Sequence, residues 1–434
     1  MLEQKIVETN SEVIVYKKLR SIKNDSIMAI VFILILMIVP LTYLLSKPAQ
    51  LSILENCTIS QFTAPSFSSF IDKTFQNDLN KAATDQFPLR DSLMLGRSVI
   101  VRNCSRIAYA PLKDKAIPSS DTNNVLLWNN GTRSSLIYAP KIYNARVLDI
   151  IDKRIQEYDK INEECPDVNI NIFDVEMPYY SKFHPLHGTY PNPAGSKYRD
   201  YYIDHVKNVN FMVMPITSQE DILKYFYKTD HHWNIFGAWK GYQLIYDMLK
   251  TNYPEISEEK QAKSFKKVDG IEAFRGSLAR LALYPNIKDD FYDVVLDNIE
   301  PYRTLIYGKE DARGLRDKNK EDRKFSDSLF ANQYGKYFGS DKGLVEYIFD
   351  NKSNRNLLIV GQSYTQAIEY IIASHYSHTY VVDLRHYDDN FEKPFNVTDF
   401  IKENKINDIL ILGEDDVCFS QLETGLFQET REGK

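Results

Sequence analysis

Residues that commonly build metal centres are scarce in this sequence. Its 434 residues include four cysteines and eight histidines. The wide spacing of the cysteines fits no metal-binding motif, and it leaves three disulfide pairings or free thiols open. The histidines form no convincing metal cluster, so the sequence predicts neither a metal nor another cofactor. Internal repeats and low-complexity segments are absent, and at this length the chain can bury one or two hydrophobic cores.

A surplus of basic residues is also missing. The formal net charge is −6 at pH 7, which argues against nucleic acid as a partner. The chain is instead rich in aromatic residues, with 29 tyrosines and 23 phenylalanines. Such a composition suits either a sugar-stacking cleft or simply an aromatic core.

One long stretch near the N-terminus contains no charge. Residues 27–46 are almost entirely apolar, and twenty such residues span a bilayer core as a helix of about 30 Å. Basic residues precede this span and only Lys47 follows it closely, which predicts a cytoplasmic tail over residues 1–26. The basic residues before the span are Lys17, Lys18, Arg20 and Lys23. Because the run exceeds a usual signal-peptide core and lacks a convincing cleavage site, we expect an uncleaved anchor of a single-pass cell-membrane protein.

The most informative motif is Asp230-His231-His232-Trp233, which a helical pattern follows. Asn234 is a plausible N-cap for that helix, so the motif lies in the turn before it. An i, i+2 pair in such a turn can point into one pocket, where the carboxylate of Asp230 orients the His232 imidazole as a general base. His231 is expected to point away from this pocket, as neighbours in extended backbone do.

A second segment supplies a nucleophile. Residues 356–360 are typical of a short buried strand, which runs through Gly361-Gln362-Ser363 into a helical pattern. A serine at a strand-to-helix turn has an exposed hydroxyl beside free N–H groups that can stabilise an oxyanion. Ser363 is therefore either a catalytic nucleophile or only a helix cap. The presence of Asp230 and His232 favours a catalytic triad.

Strands alternate with helices toward the C-terminus, which predicts a parallel, three-layered α/β sheet. Catalytic residues at the carboxyl ends of strands fit the usual site of such sheets. We expect residues 47–65 to be a tether and residues 66–434 to be one domain. Residues 252–355 have weak periodicity and are interpreted as an insertion. The alternating elements are strand 357–361, helix 364–374, strand 379–383, helix 397–404 and strand 408–413.

These motifs resemble those of the DHHW family, which is similar to the periplasmic alginate O-acetyltransferases. In that group an Asp-x-His-Trp motif comes first and a Gly-Asp-Ser-like motif follows more than a hundred residues later, as here. Two weaker echoes support the match, at residues 85–91 and at residues 383–387. The resemblance covers roughly residues 66–425. It implies an α/β domain of the circularly permuted SGNH-hydrolase type, with a three-layer parallel sheet.

The resemblance implies an extracytoplasmic O-acetyltransferase that modifies a cell-envelope polysaccharide. Ser363 would form an acetyl-enzyme, His232 would take its proton and Asp230 would hold the imidazole. A membrane-bound acyltransferase would supply acetyl across the bilayer, and Arg385, in the second echo, is expected to bind substrate. Hydrolysis by a carbohydrate acetylesterase is an alternative, because the sequence does not separate a sugar acceptor from water.

The chain departs from the family pattern at two points. Gln362 stands where the family has Asp. The oxyanion-binding Asn of SGNH enzymes has its expected counterpart in Gly413-Glu414-Asp415-Asp416, where no Asn appears and an ionised Asp415 cannot donate. The oxyanion would then depend on backbone N–H groups of Ser363 and Gly361. These departures favour a second alternative, a catalytically inactive relative that binds glycans or serves as a scaffold.

Overall fold

The computed structural model of the protein describes most of the chain. The described residues are 25–34, 36–38, 40–43, 45–52, 54–55, 57–110, 116–118, 124–129, 133–140, 146–187, 195–326, 328–391, 393–420 and 425–428. Most of the expected cytoplasmic tail and its basic residues lie outside them. The chain divides into two units, residues 1–96 and 97–434.

The first unit contains helix α1, Asp25–Tyr43, whose mean hydropathy reaches 2.6. By length and composition it is the one helix among the described residues that could cross a membrane. The expected tether contains a short antiparallel pair. The elements that follow α1 are β1 (Leu51–Ser52), β2 (Cys57–Thr58), α2 (Phe67–Ile71), α3 (Thr74–Asp85) and α4 (Arg90–Tyr109), which continues into the second unit.

The second unit is built on an eight-stranded sheet. Its strands are β6 (Asn169–Val175), β7 (Asn210–Met214), β10 (Tyr302–Ile306), β11 (Lys309–Glu310), β12 (Leu344–Phe349), β13 (Asn356–Gly361), β14 (His378–Val382) and β15 (Asp408–Glu414). The strand order is β11-β10-β12-β14-β13-β15-β6-β7. From β14 to β7 all neighbours are parallel, and from β11 to β14 all are antiparallel. The predicted parallel core is therefore present, and the segment expected to be an insertion adds three antiparallel strands to its edge.

Helices cover both faces of this sheet. Along β13, Leu357 and Ile359 belong to one buried cluster, whereas Leu358 and Val360 belong to the other. This division follows from the two-residue period of a strand, and two buried faces require an apolar residue at every position. The helices are α5 (Arg146–Glu164), α6 (Gly195–His205), α7 (Gln219–Tyr225), α8 (Ile235–Asn252), α9 (Ser277–Leu281), α10 (Gln333–Phe338), α11 (Glu369–Ala373) and α12 (Val397–Asn404). The three-layer α/β fold predicted from the sequence is confirmed.

Smaller sheets complete the unit. One of them contains a hairpin, in which β4 (Val125–Asn129) pairs antiparallel with β5 (Ser134–Tyr138), and β4 also pairs antiparallel with β3 (Ala116–Pro118). Strands β8 (Ala262–Lys267) and β9 (Tyr292–Leu296) form a separate antiparallel pair. All four cysteines are described and none forms a disulfide.

Candidate active site

Asp230, His232 and Ser363 form one hydrogen-bonded chain. The Nδ1 atom of His232 lies 2.5 Å from Oδ1 of Asp230, and its Nε2 atom lies 2.6 Å from Oγ of Ser363. The carboxyl and the imidazole are both buried, with about one-twentieth of each residue exposed. These distances and this order suit transfer of the serine proton to the imidazole while the carboxylate fixes the ring.

Local backbone contacts hold the turn that carries Asp230 and His232. The amide of His232 donates to Oδ1 of Asp230 at 3.0 Å, so the turn curls around the carboxylate. Asn234 caps helix α8 by accepting from the amides of residues 236 and 237. Trp233 is 1% exposed and its ring fills the space beside Gly241, where a Cβ atom would lie 2.5 Å from it. The tryptophan therefore fixes the turn against α8.

The second carboxylate oxygen of Asp230 is bound by a segment that carries no recognisable motif. The amide of Ser277 donates to Oδ2 at 2.6 Å. A Cβ atom on Gly276 would lie 2.1 Å from the same oxygen, so only glycine permits this approach. Burial opposes ionisation of Asp230, but the imidazoles of His232 and His231 and the hydrogen bonds outweigh it and hold the pKa well below its usual range.

Tyr334 supports the imidazole from one face. Its ring stacks on His232 with centroids 4.1 Å apart and planes 5° apart. Its hydroxyl donates to the backbone carbonyl of Ser363 at 3.1 Å. Helix α10 presents this side chain and is capped by Asn332, whose Oδ1 accepts from the amide of Gly335 at 2.9 Å. Tyr334 therefore contacts both the imidazole of His232 and the segment that carries Ser363.

Ser363 lies in the turn directly after β13. The predicted continuous helix is divided here into a 3-10 turn, Thr365–Ala367, and helix α11, because the Thr365 hydroxyl bonds both the carbonyl of Gln362 and the carboxylate of Glu369. Within the described part of the chain, the amides of Ser363 and Tyr364 have no acceptor. These two N–H groups remain available to an oxyanion.

Gly361 ends β13, where it pairs in register with Leu412 of β15. A Cβ atom at this glycine would lie 2.3 Å from the Thr365 side chain and 2.6 Å from the Leu412 carbonyl oxygen. The close approach of the turn to β15 therefore requires glycine. This packing role of Gly361 is independent of the role expected for its amide as a donor to an oxyanion.

A pocket of about 240 Å³ contains the hydrogen-bonded chain. Arg280 and Asn332 line it. In the described structure the guanidinium of Arg280 makes no hydrogen bond, and burial lowers its pKa. The amide nitrogen of Asn332 likewise has no acceptor among the described residues, since only its oxygen serves in the helix cap. Neither Arg280 nor Asn332 is predictable as a site residue from the sequence, because no motif surrounds it.

Arg385, expected to bind substrate, also lines the pocket. Its guanidinium donates to Asp383 at 2.7 and 3.0 Å and to Asp341 at 3.0 Å. These two carboxylates hold the side chain in place and offset most of its charge.

Asp415 does not line the pocket. It is fully buried and accepts from Arg199 at 2.7 Å, and the same guanidinium donates to Asp174 at 2.7 Å. Burial and the adjacent Asp174 raise the pKa of Asp415 well above its usual range. The expectation that Asp415 occupies the oxyanion-binding position is therefore wrong, because the chain turns this side chain into the core after β15.

His231 lines the same pocket as His232, so the expectation that it points away is wrong. The two ring centroids are 3.9 Å apart. The curled turn around Asp230 brings the rings to one side, whereas alternation to opposite sides requires extended backbone. Nδ1 of His231 lies 2.6 Å from the hydroxyl oxygen of Ser277.

Two groups of residues in the described structure have the spacing of metal ligands. One is Asp230, His231 and His232, and the other is Asp341, Asp383 and His386. In the first group both ring nitrogens of His232 already have partners in the hydrogen-bonded chain. In the second, the Arg385 guanidinium bridges the two carboxylates. Both groups are therefore already engaged by protein contacts.

Comparison with known proteins defines the class of this domain. Residues 208–322 match the family model described as SGNH hydrolase-like domain, acetyltransferase AlgX. This segment includes Asp230 and His232 but ends before Ser363. No curated protein sequence matches the chain significantly. Residues 208–322 are therefore similar to an SGNH hydrolase-like domain, and the resemblance recognised in the sequence is confirmed.

Solved structures share this fold over most of the chain. A DHHW family protein from Eubacterium siraeum is 18% identical, with a TM-score of 0.52, and the match covers 71% of this chain and 98% of that one. Bacillus cereus PatB1 is 16% identical, with a TM-score of 0.51, covering 70% and 100% of the two chains. A PatB1 structure with a sulfonyl adduct is 17% identical, with a TM-score of 0.50 and coverage of 68% and 98%.

Proposed function

We propose that this protein is an extracytoplasmic O-acetyltransferase that modifies a cell-envelope polysaccharide. The observation that carries the proposal is the hydrogen-bonded chain from Asp230 through His232 to Ser363, with its serine opening into a pocket. The similarity to an acetyltransferase family model over residues 208–322 supports acyl transfer as the reaction. Helix α1 would anchor the protein, with the tail of residues 1–26 in the cytoplasm and the remainder outside.

In the first half of the reaction, Oγ of Ser363 attacks the carbonyl carbon of an acetyl donor while its proton moves to Nε2 of His232. The buried carboxylate of Asp230 stabilises the resulting imidazolium. The proton then passes to the leaving group of the donor, and an acetyl ester of Ser363 remains. In the second half, a sugar hydroxyl attacks this ester, and attack by water instead would give the esterase alternative.

Charge develops on the acetyl oxygen in both halves. The amides of Ser363 and Tyr364, which have no acceptor among the described residues, are the nearest donors along the chain, and the amide of Gly361 is a further candidate. Arg280 adds a positive charge to the same pocket without a hydrogen-bond partner of its own in the described structure. These donors would take the place of the missing oxyanion Asn, and Asp415 lies outside the pocket, so both observations support an active enzyme over an inactive relative.

The test uses the full-length protein in detergent with p-nitrophenyl acetate and an aryl sulfonyl fluoride, because both reagents react with activated serine hydroxyls. We expect a burst of nitrophenol, an acetyl group on the peptide that contains Ser363, and loss of both after sulfonylation. Ser363→Ala should abolish the acetylated peptide. His232→Ala should reduce turnover by a factor on the order of 10⁴ to 10⁶, since triad members act as a unit.

Acceptor specificity is tested with tetramers of N-acetylglucosamine, mannose and mannuronate. Acetylated oligosaccharide detected by mass spectrometry would support transfer, whereas release of acetate alone would support the esterase. Oligosaccharide binding without any acetylated Ser363 would leave the glycan-binding alternative. The donor acyltransferase is a separate partner, and it would be sought by crosslinking in the native membrane.

A further inference from the structure

His231 is a second imidazole in the active-site pocket, beyond the residue needed for the triad. Its side chain is 31% exposed and lines the pocket together with Ser363. Its backbone carbonyl accepts from the hydroxyl of Tyr364 at 2.6 Å, which fixes the backbone at this position. The ring is therefore held at the pocket wall and is not a freely moving surface side chain.

Only one nitrogen of this ring is engaged. Nδ1 lies 2.6 Å from the Ser277 hydroxyl oxygen and 3.5 Å from Oδ1 of Asp230. Nε2 of His231 has no hydrogen-bond partner among the described residues. Burial and the adjacent His232 lower the pKa of His231 to about 4. The ring is therefore neutral near pH 7, and one of its two nitrogens carries a hydrogen.

The contact with the Ser277 hydroxyl fits a hydrogen on either nitrogen, and only the arrangement in which the hydroxyl donates leaves a donor in the pocket. When this hydroxyl donates to Nδ1 of His231, the hydrogen resides on Nε2, which becomes a donor at the pocket surface. The backbone amide of Ser277 is already bound to Asp230, so the position of the hydroxyl is fixed by a second contact. A donor at this place lies beside His232, since the ring centroids are 3.9 Å apart.

We propose that His231 binds the oxygen of the acceptor sugar hydroxyl and orients it for attack on the acetylated Ser363. This inference rests on the proposed acetyltransferase function and assigns its acceptor site. In this step Nε2–H of His231 donates to the sugar oxygen, while the hydroxyl proton moves to Nε2 of His232. The sugar oxygen bonds to the acetyl carbon, the bond from that carbon to Oγ of Ser363 breaks, and His232 returns the proton to Oγ.

The expected signature is a change in partition between the two acceptors. A sugar is held in one orientation by its contacts, and loss of one contact misplaces its attacking oxygen. Water needs no such orientation. Loss of the donor at His231 should therefore reduce transfer to the sugar more than hydrolysis of the same acetyl-enzyme.

The experiment measures the ratio of acetylated oligosaccharide to free acetate, with p-nitrophenyl acetate as donor and the best tetramer of the panel as acceptor. His231→Asn places its amide near the position of Nδ1 and retains the contact with Ser277. His231→Gln places its amide near the position of Nε2. We expect the ratio to fall roughly 5- to 10-fold in the Asn variant, the effect of one hydrogen bond, and to recover largely in the Gln variant.

Two further variants separate this role from a structural one. Ser277→Ala removes the hydroxyl but keeps the backbone amide on Asp230, and it should lower the ratio because Nε2 is no longer fixed as the donor. His205→Asn is a matched control at an exposed position at the end of α6, and it should leave the ratio unchanged. If either His231 variant does not fold, the Ser277→Ala result decides.

Several outcomes would overturn the inference. One is an unchanged ratio of acetylated oligosaccharide to acetate in both His231→Asn and Ser277→Ala. Another is a ratio that stays at the wild-type value in His231→Asn but falls in His231→Gln, because this result would mean that only the contact with Ser277 matters. Wild-type protein that forms acetylated Ser363 but yields only acetate would also exclude an acceptor site. The acetylated serine distinguishes that result from failure of the proposed enzyme, in which no acetyl-enzyme forms.

Discussion

Tyr334 offers a direct test of how the imidazole is held. Its ring lies 4.1 Å from that of His232 at an angle of 5°, and its hydroxyl donates to Ser363 at 3.1 Å. Tyr334→Phe keeps the ring and loses one hydrogen bond worth about 1 kcal/mol, so acylation should slow by less than about tenfold. Tyr334→Ala also removes a fully packed ring, which should lower the free energy of unfolding by roughly 3–5 kcal/mol.

The Ala variant should show a larger loss of activity than its stability alone explains. Without the stacked ring, His232 can rotate away from Ser363, and misplacement of a reacting group by about 1 Å can reduce turnover on the order of 10²-fold. The assay is the burst rate with p-nitrophenyl acetate, measured beside urea unfolding so that only folded protein is compared.

Tyr337 provides a matched control on the same helix. It is buried like Tyr334, and its hydroxyl donates to Asp293 at 2.6 Å, but it does not line the pocket. Tyr337→Phe should lower stability by roughly 1.5–3 kcal/mol, as for a hydrogen bond to a charged group, with no change in burst rate. Equal burst rates for wild type and Tyr334→Ala, at equal folded fraction, would refute the positioning role.

Two further predictions concern the Asp230 contact and the response to acid. Gly276→Ala should reduce the burst rate roughly 10²-fold, because its Cβ would lie 2.1 Å from Asp230. Gly96→Ala is the control, since open space surrounds that glycine, and its burst rate should not change. An equal loss of burst rate in the two variants would contradict this prediction. Burial and Lys260 lower the pKa of His375 to about 3. The neutral imidazole therefore contributes fully to the free energy of unfolding above pH 6.5, and this contribution is lost as the pH falls toward 3. Between pH 7 and pH 4.5 the free energy of unfolding should fall by roughly 2–3 kcal/mol more in wild type than in His375→Gln. An equal fall in the two proteins would refute the assignment.

The residues of the proposed triad were predictable because short local signals mark them. Ser363 follows an uninterrupted apolar strand, and the motif at Asp230 precedes a helix with a recognisable cap at Asn234. Such signals depend on residues within a few positions of each other. The three-layer fold was predictable for the same reason, since a strand buried on both faces, such as β13, is apolar throughout its buried part, here Leu357 to Gly361.

The orientation of His231 was not predictable from alternation. Its turn is curled by the hydrogen bond from the His232 amide to Asp230, and whether a side chain bends its own backbone depends on the tertiary contacts that hold it. Asp230 is held by the amide of Ser277, which is distant in sequence. A rule for extended backbone therefore failed where a long-range contact determined the local conformation.

The segment with the weakest periodicity completes the site. Residues 252–355 contribute Gly276 and Ser277 beside Asp230 and Tyr334 against His232, and they also supply three edge strands of the main sheet. Half-buried edge strands and short helices have weak hydrophobic periodicity, so the sequence gives little indication that such a segment is structured. The motifs therefore mark the atoms of the proposed triad, whereas this segment fixes their geometry. Substitutions within it are expected to change reactivity without touching any motif residue.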